Sequence, residues 1–74
     1  MDEKVKQVFA QVMEVPVESV NNDSSPDTIG SWDSLGHMNL VLALEQCFHV
    51  TFSEEQITEM LNVEIIIATV KELL

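Results

Sequence analysis

Apolar residues recur at helical spacing in three stretches of this chain, and this periodicity restricts the possible folds more than any other feature. In the first stretch, one stripe at i, i+3, i+4, i+7 and i+8 is formed by Val5, Val8, Phe9, Val12 and Met13. Such a stripe is typical of a helix that packs one face against a core. We expect this helix to end near Glu14, because Pro16 disfavours helical backbone in the residue before it.

The second stretch, residues 34–48, predicts a helix that is apolar around most of its circumference. A helix of this kind is packed on several sides. Its start is marked by Asp33 or Ser34, since either side chain can cap the free N–H groups of a first turn.

The third stretch, residues 63–74, predicts a closing helix. Its inward-facing residues are expected to be Ile66, Val70, Leu73 and Leu74. The isoleucines at 65–67 would also suit a strand, but the chain has no second strand-like run to pair with them. A shorter helix is expected just before this stretch, because Ser53 and Gln56 have the spacing of a capping box. Without a strand pair, the four helices predict an all-α bundle, in a single domain of residues 1–74.

Residues 15–33 contain most of the turn-forming residues of the chain. Pro16 at a first helical position could start one turn that continues to Val20. The rest is expected to be irregular and held to the core by Val15, Val17, Val20, Ile29 and Trp32. A loop of this length is uncommon in so small a domain and is usually functional where it occurs.

The charge balance excludes several classes of function. Thirteen acidic and three basic side chains give a net charge of −10, which argues against nucleic acid and against an anionic membrane surface. A partner with a basic face is the natural expectation. The hydrophobic content of 46% is too high for a disordered chain. A chain this short buries only about 60% of its unfolded surface, so we expect no deep active site.

The cysteine content and the apolar runs predict a cytoplasmic protein. Cys47 is the single cysteine, so an internal disulfide is impossible, and the Cys/His spacing of a zinc site is missing. The alternating Asp23, Ser25 and Asp27 do not continue as a calcium loop, so no metal site is expected. The first residues have no secretory signal pattern, and the apolar runs are too short to span a bilayer.

One motif accounts for the helix start at residue 34. Asp33-Ser34-Leu35, followed by a largely apolar helix to Phe48, resembles the phosphopantetheine attachment region of acyl carrier proteins. The resemblance extends over essentially all 74 residues. It implies a four-helix acyl-carrier-like bundle, with a long loop between helices 1 and 2 and a short third helix. Because the first residue opens directly into a helix and the last one closes a helix, we expect a free-standing carrier. We also expect this carrier to be a monomer.

The resemblance also implies a cofactor. A phosphopantetheinyl transferase would attach phosphopantetheine from coenzyme A to Ser34, using magnesium, and the terminal thiol would carry acyl groups as thioesters. A phosphate at a helix N-terminus is favoured by the free N–H groups there. Asp33 resembles the motif acid that assists the transferase, although it could instead act as the cap. No catalytic residue is expected, since a carrier is the substrate of its transferase.

Two further sets of residues follow from the resemblance. A partner-docking surface would combine apolar positions of the second helix with nearby acids, namely Leu35, Met38, Leu42, Glu45, Glu54, Glu55 and Glu59. An acyl pocket would be formed by Leu40, Ala43, Leu44 and Phe48. The alternative for the apolar members is that they simply pack the bundle. The partners implied are the transferase and acyl-loading, elongating or transferring enzymes with basic docking faces.

The chain departs from the pattern of carriers in fatty acid synthesis. Those carriers usually have acids just after the Leu of the motif and again one turn further on, where this chain has Gly36, His37 and Asn39. We therefore expect a dedicated lipid, polyketide or other secondary pathway. A peptidyl carrier, and an unmodified acidic interaction module in which Ser34 only caps a helix, remain as alternatives. A Ser34–His37–Asp33 hydrolase triad is disfavoured, because Asp33 adjoins the serine and cannot easily orient the imidazole. His37 is instead expected to be a surface residue beside the prosthetic arm.

Overall fold

A computed structural model describes residues 2–74 and contains four helices: α1 (Asp2–Met13), α2 (Ser34–Phe48), α3 (Glu54–Glu59) and α4 (Val63–Leu73). No strand occurs among these residues, which confirms the expected all-α bundle with a long loop after α1 and a short α3. The loop contains one 3₁₀ turn at Val17–Ser19. The sequence had suggested that Pro16 is the first helical residue of this turn. Pro16 instead precedes the turn with extended backbone, at φ −63° and ψ 139°, and is its N-cap residue.

Side-chain caps fix where α2, α3 and α4 begin. Asp33, Ser53 and Asn62 each accept a hydrogen bond from the backbone N–H three residues later, at 2.8, 3.1 and 2.8 Å. At Ser53 the predicted capping box is complete, since the Gln56 side chain accepts from the Ser53 N–H at 2.9 Å. These bonds satisfy N–H groups that a helix leaves without internal partners.

The core is built from one face of each of α1, α2 and α4, together with residues of the loops. Its most deeply buried side chains include Val5, Phe9, Leu40, Leu44, Met60, Val63, Ile66 and Val70. Leu74, expected to face inward, is 64% exposed, because α4 ends at Leu73 and the next residue lies beyond the surface that the helix packs on.

The loop of residues 15–33 is ordered by contacts with α1 and α4. Val20, Ile29 and Trp32 are buried in the core, whereas Val17, expected to do the same, is 42% exposed. The carbonyls of Asn22 and Ser24 accept the N–H groups of the first two residues of α4, each at 3.1 Å. With the Asn62 cap, the loop thus satisfies the start of α4 and fixes its own path across the bundle.

Candidate functional site: the start of α2

The first turn of α2 presents an exposed serine that is not used for capping. Ser34 is the first residue of α2 and is exposed. The cap is Asp33, whose Oδ1 accepts from the Gly36 N–H at 2.8 Å and whose carbonyl accepts from the His37 N–H at 2.7 Å. Of the two caps that the sequence allowed, the structure uses Asp33. The Ser34 hydroxyl is therefore not needed to begin the helix.

The loop approaches this turn so closely that residue 36 must be a glycine. A Cβ atom added at Gly36 would overlap the carbonyl oxygen of Ser31, and would lie 3.3 Å from Asp33 Oδ1. Ser31 is itself held, because its hydroxyl donates to the Met13 carbonyl at 2.8 Å. The glycine that replaces the usual acid at this position thus lets the loop pack against the start of α2.

His37 forms a bridge between the loop, α2 and α3. The Trp32 indole N–H donates to His37 Nδ1 at 2.9 Å, and His37 Nε2 lies 2.7 Å from the Ile57 carbonyl oxygen. Since an indole can only donate, Nδ1 is the acceptor, and Nε2 must carry the proton to bond a carbonyl. The bridge therefore uses the neutral Nε2–H form of the imidazole.

This arrangement gives His37 a structural role that sequence reasoning missed. The sequence suggested a surface histidine, but His37 is partly buried and its ring stacks on Trp32, with centroids 6.1 Å apart and planes at 18°. Trp32 is also in edge contact with Phe9, at 5.0 Å, which confirms it as the anchor of the loop. With both imidazole nitrogens engaged, His37 cannot serve as a base for Ser34, and the disfavoured triad does not form.

An apolar groove of about 500 Å³ lies beside Ser34. Asp33, Ser34 and His37 line it together with apolar residues of α2, α3 and the segment after α3, which are Met38, Ile57, Met60 and Leu61. The serine hydroxyl therefore lies next to apolar surface that a flexible chain could cover. Leu61, which is 59% exposed, was not foreseen as part of this surface.

Most of the residues expected to dock partners are accessible. Leu35, Met38 and Leu42 are 72%, 46% and 53% exposed, and their spacing places them along one face of α2. Glu54, Glu55 and Glu59 are exposed on α3. Glu45 differs, because it is partly buried and its carboxylate accepts from the Phe52 N–H at 2.9 Å. This bond gives Glu45 a structural role in holding the loop after α2, and its docking role stays a prediction.

The residues expected to form an acyl pocket belong to the packed interior. Leu40 and Leu44 are fully buried, and Ala43 and Phe48 are partly buried. Other residues line the groove beside Ser34. The structure therefore places Ser34 next to the surface of α2 and α3, and none of these four side chains lines the groove. Their role as an acyl pocket stays a prediction.

Two other expectations concern metals and membranes. Within residues 2–74, no group of three or more His, Cys, Asp or Glu side chains is arranged to hold a metal ion. None of the described helices has the length and apolarity needed to cross a membrane. Cys47 is a free thiol and is only partly buried.

A serine that is exposed and has no free base beside it is suited to be modified by another protein. This is the chemistry of carrier domains, which hold a prosthetic group added by a separate enzyme. Comparison with known families agrees, since the family described as phosphopantetheine attachment site matches residues 3–70. The chain therefore belongs to this family, and within it to the acyl carrier proteins.

A solved structure gives the same result at the level of the fold. The solution NMR structure of a holo acyl carrier protein from Geobacter metallireducens is similar to this chain with a TM-score of 0.87 and 26% sequence identity. The similarity covers 97% of this chain and 83% of that one. The expected family, bundle, covalently attached phosphopantetheine and non-enzymatic carrier role are thus confirmed. Proteins of this kind work with a phosphopantetheinyl transferase and with acyl-handling enzymes.

Proposed function

We propose that Ser34 is the residue to which phosphopantetheine is attached, and that the chain carries acyl groups in a dedicated pathway. When bound, the group supplies a terminal thiol that holds acyl groups as thioesters. Ser34 fits the group because it is exposed and opens α2. Asp33 bonds only the Gly36 N–H by its side chain, so other N–H groups of the first turn could stabilise the phosphate.

The observation that best supports this proposal is that Asp33, and not Ser34, caps α2. If Ser34 only capped α2, as in an unmodified interaction module, its oxygen would accept from an N–H of the first turn. Asp33 makes that bond instead. We propose that Asp33, in addition to capping α2, is the acid that assists the transferase and positions its magnesium.

The attachment site can be tested by intact mass. The protein is incubated with coenzyme A, magnesium and a broad-specificity phosphopantetheinyl transferase, and we expect a gain of one phosphopantetheine group. Ser34→Ala should abolish the gain, whereas Ser19→Ala, at another exposed serine, should leave it unchanged. No gain in the unmodified sequence, or a gain that survives Ser34→Ala, would contradict the proposal.

The distribution of charge supports a dedicated pathway with partners that have basic docking faces. The first turns of α2 offer the exposed apolar residues Leu35 and Met38, and α3 carries three exposed acids, Glu54, Glu55 and Glu59. A partner would therefore contact an apolar strip of α2 and an acidic patch on α3. Such charge pairs steer encounters and set specificity more than they raise affinity, which suits a carrier that must also leave.

Kinetics with two sets of enzymes can test this distribution. General fatty acid synthesis enzymes should load and elongate the modified protein more slowly than their own carrier; equal rates would refute the dedicated pathway. With a cognate partner, Glu59→Lys should slow association more than Glu72→Lys, a matched change at an exposed position of α4, and added salt should reduce the difference. Loading of an amino acid by an adenylating enzyme would identify a peptidyl carrier instead.

We also propose that the carrier is a cytoplasmic monomer formed by one domain of residues 1–74. The single cysteine, Cys47, is a free thiol, which suits a reducing compartment. Size-exclusion chromatography with light scattering should give the mass of one chain at micromolar concentration. A dimer would contradict the proposed monomer.

A further inference from the structure

The helix beside the groove is held by few contacts of its own. None of the six residues of α3 is fully buried, and only Ile57 packs against the core, as a partly buried side chain. The capping box at Ser53 is local to α3 and its N-cap residue, so it stabilises the helix without attaching it to α2. A segment with so little buried apolar surface is expected to open at low free-energy cost.

The hydrogen bond from His37 gives α3 a direct polar attachment to α2 in addition to the packing of Ile57. Ile57 is in the last turn of α3, where carbonyl groups have no internal N–H partner. The N–H that would normally reach it, from Leu61, bonds the Glu59 carbonyl at 2.9 Å instead. His37 Nε2 therefore caps α3 from a neighbouring helix, and the Trp32 indole fixes the tautomer that this bond requires.

The position of His37 connects this attachment to the carrier function. His37 follows Ser34 by three residues, so the two side chains share one face of α2, and both line the groove. An arm attached at Ser34 would pass His37 before it could enter between α2 and α3. The hydrogen bond from His37 Nε2 to the Ile57 carbonyl lies across that route, while Met38 and Leu61 remain accessible at the surface.

We propose that His37 is a positioning residue that latches α3 to α2 and thereby keeps the cargo of the arm in the open groove. The proposal rests on the attachment at Ser34. With the latch closed, an acyl chain covers the surface formed by Met38 and Leu61 and does not enter between the helices. The interior residues Leu40, Ala43, Leu44 and Phe48 then do not serve as the acyl pocket that the resemblance implied. Without it, α3 opens more often and a long chain can slip beneath it.

The test compares thioesters of increasing chain length. The protein is loaded with butyryl, octanoyl and dodecanoyl groups from the corresponding coenzyme A thioesters by a broad-specificity transferase, and the rate of cleavage by hydroxylamine is measured. For the unmodified sequence we expect the rates to depend little on length. For His37→Ala, the longest chain should be cleaved more slowly than butyryl, by up to about fivefold, which is the effect of one net hydrogen bond on the equilibrium for opening α3.

Two variants separate the latch from general destabilisation. His37→Gln offers an acceptor oxygen and a donor amide and should restore the length independence. Asn39→Ala, an exposed change two residues further along α2, should behave as the unmodified sequence. The indole N–H resonance of Trp32, the only tryptophan, should move upfield in His37→Ala and not in Asn39→Ala. If His37→Ala does not fold, His37→Phe keeps a planar ring against Trp32, removes both hydrogen bonds of the imidazole and gives the same comparison.

Different outcomes would overturn the attachment at Ser34 and the latch at His37. No mass gain on transferase treatment would overturn the attachment at Ser34, and this inference with it. A normal mass gain together with strong protection of the long thioester in the unmodified sequence would overturn the latch alone. The same follows if the unmodified sequence and His37→Ala show equal dependence on chain length.

Discussion

Gly36→Ala is the substitution for which the structure makes the sharpest prediction. In an ordinary helix this change stabilises, since alanine is favoured over glycine by up to about 1 kcal/mol. Here the new methyl group would overlap the Ser31 carbonyl oxygen, and that carbonyl cannot easily retreat, because the Ser31 hydroxyl is bonded to Met13 at 2.8 Å. Either the loop or the first turn of α2 must move.

The magnitude follows from these opposing effects. Inserting a methyl group into a packed site costs about 1–3 kcal/mol, and the gain in helix propensity offsets up to about 1 kcal/mol of it. We therefore expect Gly36→Ala to lower the free energy of unfolding by about 1–2 kcal/mol. Because the strain falls on the turn that begins with Ser34, modification by the transferase should slow as well.

Gly30→Ala is the matched control. A Cβ atom added at Gly30 meets no heavy atom within 4 Å, and Gly30 does not have a positive φ. This substitution should be neutral, or should stabilise by about 0.4–1 kcal/mol through the unfolded chain. Urea unfolding followed by circular dichroism and Trp32 fluorescence measures both variants. If Gly36→Ala were as stable as Gly30→Ala, the proposed close packing of the loop on α2 would be wrong.

Two further predictions concern α4 and its contact with α1. Asn62→Ala removes the cap of α4, which accepts from the Ile65 N–H at 2.8 Å, and should cost about 1 kcal/mol in urea unfolding; an unchanged midpoint would contradict this. The hydrogen bond from Lys71 lowers the pKa of Asp2. The pair therefore stabilises the fold at pH values above the normal aspartate pKa. This contribution is lost as the pH falls through the lowered pKa of Asp2. The destabilisation by Asp2→Asn should therefore be small at pH 7, since both side chains are exposed, and should vanish in acid; a difference that persists in acid would exclude the ion pair as its cause.

The helices could be predicted because their signals are local. Pro16 and the caps at Asp33 and Ser53 act within a few residues, so the sequence is sufficient to predict where α1 stops and where α2 and α3 begin. The periodicity also predicted most of the core. It was wrong for Leu74, because a pattern of apolar residues does not show where the surface that they pack on comes to an end.

The contacts around the site could not be predicted in this way. The loop is tied to α4 by the carbonyls of Asn22 and Ser24, and any residue type has such a carbonyl. His37 was read as a surface residue because nothing in its neighbours along the chain indicates a bond to Ile57, which is 20 residues away. Gly36 was noticed only as a missing acid, since the need for a glycine arises from a distant backbone atom.

These contacts together explain how an exposed residue can have a defined position. A side chain that must be reached by a transferase cannot be fixed by burial, so its backbone has to be held from the other side. At the start of α2, the Asp33 cap and the packing of Ser31 on Gly36 hold the turn, and the Trp32–His37 bridge holds the next one. The long loop therefore supports the backbone at Ser34, and this role explains why the loop is both long and ordered.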